Sequence, residues 1–190
     1  MVRCAMMNDP VRRRPPAASV GWVLTAALTT LLGGCGYHLV GTSSFLPAEY
    51  KTLYVATLDN QTDRADMDQR VTEALTREWV RRRRFQLVDH ADRADLVLKG
   101  VIRSVSVAPV RFDEQGRATE YQMTLTVAAQ LLAGGTEKPK VLWEDKSFSR
   151  RTSYDVDVSA ADYFDRQIEA MDRVSEDLAR ALVSAVLEGF

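Results

Sequence analysis

The sequence predicts an α/β two-layer sandwich: a mixed sheet of four to five strands with two helices packed on one face. Three observations predict it. Segments with a two-residue apolar period fill the middle of the chain. Two long segments with a helical period stand on either side of them, one near residues 64–82 and one running from Ser159 almost to the C-terminus. The summed order of strand, helix, four strands and helix suits one layer of strands and one of helices.

The first 34 residues have the organisation of an export signal. Arg12, Arg13 and Arg14 form a basic start, and Val20 to Leu32 form an apolar stretch too short for a membrane span, which needs about 20 apolar residues. Leu32-Gly33-Gly34-Cys35 then matches a bacterial lipoprotein cleavage site: a leucine, two small residues and the cysteine that receives the lipid. The expected lipid is a covalent diacylglycerol with an N-acyl chain on Cys35, and no other cofactor is expected. Met1, Met6 and Met7 are all candidate starts, with Met7 preferred because it precedes the arginines and omits Cys4. Either way the mature chain has Cys35 as its single thiol and no internal disulfide, so its fold must rest on a packed core.

Removal of residues 1–34 leaves 156 residues, enough for one domain, with 21 basic and 25 acidic side chains and so a charge of −4. Nucleic-acid binding in bulk is disfavoured by that balance. The expected layout is a lipid-anchored tether over 35–50, rich in Gly and Ser, followed by a single α/β domain over 51–190.

Lys51 to Leu58 reads as a strand apolar on both faces, which suits a central position. The run Asp59-Asn60-Gln61-Thr62-Asp63 reads as a helix start, because these side chains accept free backbone N–H groups. Met67, Val71, Leu75 and Trp79 then form an apolar stripe, and Arg81 to Arg84 close the helix at the negative end of its dipole, with an anion contact as the competing reading. Phe85 to Val88 is a short strand, and Leu96 to Val107 a longer one in which Gly100 is expected to mark a bulge. Ala108 to Thr119, with Pro109 and Gly116, reads as a turn-rich connection.

The cleanest alternation sets Tyr121, Met123, Leu125, Val127, Ala129 and Leu131 against Gln122, Thr124, Thr126 and Gln130, with a neutral polar outer face. Val141 to Arg150 is the last strand, after the turn Gly134 to Pro139, and Ser153 to Val158 is extended and polar. Ser159 and Asp162 have the spacing of a capping box, with Phe164, Ile168, Met171, Leu178, Leu182 and Val186 as the stripe of the final helix.

Reactive chemistry is sparse. His38 lies in the tether and His90 in an acidic turn, without the spacing of a metal site, and there is no nucleophile elbow or phosphate-binding glycine loop. Neither catalytic nor metal-binding residues are expected. Arg150 and Arg151, beside Lys146 and Tyr154, are the candidate ligand-binding cations, with a solvated strand end as the competing reading.

Cys35-Gly36-Tyr37-His38-Leu39 followed by Gly41, and Leu53-Tyr54-Val55-Ala56 leading to Asn60 before a helix, resemble the LptE family of lipopolysaccharide-assembly lipoproteins. The resemblance implies two helices on one side of a mixed sheet. It also implies a non-enzymatic protein of the outer membrane, facing the periplasm and a barrel lumen. Such a protein plugs and helps assemble the barrel LptD and assists delivery of lipopolysaccharide to the cell surface. An accessory subunit of an envelope transporter would share the anchor and sheet, and a periplasmic hydrolase would need a nucleophile and base that the sequence does not offer.

Overall fold

The structure, a computed structural model, describes residues 45–134, 139–156 and 160–189, without the side chains of 160–162. The export signal, Cys35, His38 and the Ser159–Asp162 capping box lie outside the described residues.

The strands are β1 (Thr52–Val55), β2 (Asp59–Asn60), β3 (Gln86–Leu87), β4 (Leu96–Phe112), β5 (Ala118–Ala133) and β6 (Lys140–Asp155). The helices are α1 (Met67–Arg82) and α2 (Ala160–Glu188), with a short 3-10 turn at Ala91–Arg93. The sheet runs β3-β1-β4-β5-β6, with β2 also paired to β4. Pairing is parallel around β1 and β2 and antiparallel from β4 to β6. This is the expected mixed sheet, with one more strand than the sequence reading counted.

The extra strand comes from Asp59 and Asn60, which were expected to start the helix. They add to β4 instead, and the Asn60 carboxamide closes the turn that follows by accepting the Thr62 N–H at 3.0 Å and donating to the Arg64 carbonyl at 2.8 Å. The helix therefore starts at Met67, after Asp66 in a left-handed conformation with φ 61°. Met67, Val71, Leu75 and Trp79 are all fully buried, as the stripe requires.

The central hairpin is longer than expected. β4 runs to Phe112 and β5 starts at Ala118, because ladder pairing outweighs the poor strand propensity of Pro109 and leaves only 113–117 as the turn. The Asp113 carboxylate holds that turn by accepting the N–H groups of Gln115 and Arg117 at 3.0 and 2.8 Å. Its pKa falls below the ordinary value, chiefly because of the Arg117 N–H.

Gly100 does not carry the bulge expected there; the register shifts at Arg103, between Ile102 and Ser104. What Gly100 provides is clearance, since a Cβ there would stand 3.1 Å from the Ala128 carbonyl oxygen and 3.2 Å from Leu58. The bulge at Arg103 also changes which residues face the core. Leu96, Leu98 and Ile102 face it before the bulge, and Val105 and Val107 join them after it.

Both helices cover one face of the sheet. They run parallel, joined along their seam by Arg70 to Asp172, Arg77 to Glu176 at 3.9 Å, and the Arg82 guanidinium donating to Ser184 at 2.7 Å. Glu78 is buried in α1 between Arg81 and Arg82, which pair with it. Arg84 reaches back to the carbonyls of Tyr50 and Pro47. Most of the basic run is thus spent on ending the helix and tying down the segment before β1.

The α2 stripe is only half as expected. Leu178, Leu182 and Val186 are buried, whereas Phe164 and Ile168 are exposed and Gln167, Ala170 and Val174 take the inward positions. The large side chains Phe164 and Ile168 of the first turns sit on the exposed flank. Among the described residues no helix is long and apolar enough to cross a membrane.

Candidate interaction surfaces

Three strands build a continuous polar face on the side without helices. The ladder aligns Ser104 with Thr126 and Ser149, and Ser106 with Thr124 and Arg151. The next row aligns Ala108 with Gln122 and Ser153. Side chains directly opposite in a ladder share a face, so these rows form a lattice of short hydroxyls carrying one cation. Met123, Leu125 and Val127 alternate with them and are completely buried on the other side. The sequence alternation predicted the β5 row of this lattice; its β4 neighbours were hidden by the phase change at Arg103.

Towards the start of β4 the same face changes character. Lys99, Gln130 and Glu144 stand in one row, with Gln130 donating to Glu144 at 2.8 Å. Beyond them Val97 and Leu132 form a small apolar cluster with Ala94, packed against by Tyr54, Val88 and Ala91.

Arg150 and Arg151 do not act as a pair. Arg150 aligns with Leu125 on the helix side, where its guanidinium folds back over Phe148, 4.6 Å from the ring centroid, and donates to the Ser149 carbonyl at 2.7 Å. Arg151 aligns with Thr124 and is exposed on the hydroxyl face. Successive strand residues face opposite ways, and no register can bring the two together.

A second group of cations gathers where β6 ends beside α2. A cleft of about 510 Å³ is lined by Arg111, Arg166 and Arg173 together with Tyr154, Asp155 and Glu169. Arg111 pairs with Glu120 at 2.9 Å, Arg166 with Glu169 at 3.5 Å, and Arg173 donates to the Ser153 carbonyl at 3.4 Å. Tyr154 stacks on Tyr121 with centroids 5.8 Å apart, and its hydroxyl is buried without a hydrogen-bond partner among the described residues. Burial first, and the neighbouring Tyr163 second, push its ionisation far above the ordinary tyrosine range, so it stays neutral. Arg166 and Arg173 are seven residues apart on one flank of α2, a spacing visible in the sequence; their meeting with Arg111 depends on the hairpin length and was not visible.

These surfaces are suited to binding, with cations on one edge and hydroxyls on one face. Among the described residues no three His, Cys, Asp or Glu side chains group as metal ligands would.

Comparison with known proteins found relatives in sequence and in fold. An LPS-assembly lipoprotein LptE from Pectobacterium atrosepticum is 34% identical over 118 residues, which cover 61% of this chain and 59% of the relative. The chain thus spans about three fifths of that relative's length. The hypothetical protein CT253 from Chlamydia trachomatis has a similar fold, with a TM-score of 0.51 at 12% identity, over 74% of this chain and 97% of that one. The uncharacterized lipoprotein B from Nitrosomonas europaea aligns with a TM-score of 0.44 and 21% identity, over 82% and 97% of the two chains. The family model described as LptE, lipopolysaccharide-assembly, matches residues 50–186, from just before β1 to the last turn of α2, and the chain belongs to that family.

Proposed function

We propose that this chain is an outer-membrane lipoprotein, anchored through a diacylglycerol and an N-acyl chain on Cys35. It plugs the lumen of the LptD barrel, helps assemble that barrel, and assists delivery of lipopolysaccharide to the cell surface. Its action is binding and not catalysis. The observation that carries this reading is the hydroxyl lattice on the helix-free face. A barrel lumen is polar, and a plug needs a face that exchanges hydrogen bonds with it without burying unpaired charge. The Ser and Thr positions meet both conditions, and Arg151 is the one charge set among those rows.

Family membership and the name of the Pectobacterium relative support the lipopolysaccharide part of the reading. That lipid carries phosphates, which suit guanidinium donors. Arg151, with Arg111, Arg166 and Arg173, forms the exposed set, and Arg150 is the contact that must first leave Phe148. Single replacements separate Arg150 from Arg151: Arg151→Glu should weaken lipopolysaccharide binding by the purified chain more than Arg150→Glu. Equal loss would show that Arg150 does not stay folded back.

Affinity purification of the tagged protein tests the main reading. Recovery of a tight complex with the large outer-membrane barrel supports it. Co-purification with inner-membrane transporter components in place of the barrel contradicts it.

A further inference from the structure

Residues 45–50 are built into the domain ahead of its first strand. The Phe45 N–H donates to the Leu187 carbonyl at 2.9 Å, and Leu46 is buried in the core. The Arg84 guanidinium, just past the end of α1, donates to the carbonyls of Pro47 and Tyr50 at 3.2 and 3.3 Å. Gly189, at φ 79°, follows α2 and lies directly against the Phe45 ring: a Cβ there would stand 2.6 Å from it. The chain thus enters the fold at one fixed place, where the C-terminal ends of α1 and α2 meet the approach to β1.

Phe45 is 55% exposed even so. The exposed charges at this end of the domain are mixed, with Lys51, Arg81 and Arg83 against Glu49 and Glu188, so net charge does not draw a charged partner there. What this end offers is an apolar aromatic ring turned outward on a backbone already held by the fold, and such a group loses little freedom when it is covered. Nine residues separate Cys35 from Phe45, and the ten Cα steps between them span at most about 36 Å. A lipid on Cys35 keeps the ring at an effective concentration of roughly millimolar relative to the bilayer holding that lipid, so a contact too weak to form alone is populated.

We infer that the end of the domain carrying Phe45 rests on the lipid bilayer that holds the anchor, with the Phe45 ring at the boundary between headgroups and acyl chains. This inference rests on the anchor at Cys35 and goes beyond the plug reading, because it gives the folded domain a membrane contact of its own.

The test uses the acylated full-length chain, alone and in complex with its barrel, in vesicles of phosphatidylethanolamine and phosphatidylglycerol with brominated acyl chains. Bromine quenches tryptophan emission at short range, and Trp79 and Trp143 are buried, so both give a constant background. Phe45→Trp should be quenched severalfold more than Phe164→Trp, a position exposed at the other end of α2 and roughly 35 Å away along the helix. A photo-crosslinking benzoylphenylalanine at Phe45 should give an adduct of one chain and one phospholipid, which keeps the test decisive if the tryptophan variant misfolds. Equal quenching at the two positions, with no phospholipid adduct, would overturn the inference and leave the anchor and the plug reading standing. An adduct from Phe45 to the barrel in place of phospholipid would assign this end to that protein and also overturn it. Absence of lipid on Cys35 by mass spectrometry would overturn the inference and the anchor together.

Discussion

At Asp95 one carboxylate accepts the backbone N–H groups of Lys51 and Thr52 at 2.8 and 2.9 Å and fixes the approach of the chain to β1. Those two N–H groups are the leading causes that hold its pKa below the ordinary aspartate value. With the folded pKa below the unfolded one, the contribution is full above the unfolded value near pH 4 and disappears as pH falls through the folded one. Asp95→Asn should cost roughly 1 kcal/mol, the modest end for bonds to a charged acceptor because the site is exposed to solvent. Thermal unfolding of both proteins should show that difference at pH 7 and a shrinking one below about pH 4; a constant difference would mean that the charge is not what matters. Nothing in the local sequence announces this bond, since Asp95 lies in a turn already rich in acids and its donors are some forty positions away. Gly100 and Arg103 show the same limit. A glycine in a strand signals either a bulge or a close approach, and only the position of Leu58 decides between them.

Elements with strict periodicity were legible, and those fixed by pairing were not. The stripe of Met67, Val71, Leu75 and Trp79, and the alternation of β5, follow from burial of one face and appear directly in the sequence. β2 and the last residues of β4 are strands because a neighbour supplies their hydrogen bonds, which local propensity does not reveal. α2 combines both cases. Its second half is a conventional core stripe, whereas its first half passes over the sheet on Gln167 and Ala170 and leaves larger side chains outside. Leu182→Ala should therefore cost about 2–5 kcal/mol and Ile168→Ala less than about 0.5 kcal/mol in denaturant unfolding. Comparable losses at the two positions would contradict the described packing.

Across the whole molecule the surfaces divide by direction: helices on one side, hydroxyls on the other, and arginines beside the hairpin end. The candidate site was legible in part. The polar row of β5 was visible as alternation, but Arg150 and Arg151 were adjacent in sequence and separated by the sheet, while Arg111, Arg166 and Arg173 were distant and brought together by it. The proposed anchor at Cys35 precedes the domain and supplies membrane affinity of about 0.8 kcal/mol for each buried methylene. Cys35→Ser in an exported form should keep the fold and much of the barrel binding, measured by circular dichroism and co-purification, because the core and the proposed docking faces lie within the domain.

The central claim is that the hydroxyl face meets a barrel lumen, and Thr126 stands in the middle of that lattice. A photo-crosslinker at Thr126, compared in intact cells with one at Arg77 on the exposed surface of α1, tests it most directly. A strong adduct to the barrel is expected from Thr126. A barrel adduct from Arg77 with none from Thr126 would contradict it and turn the molecule around within its complex.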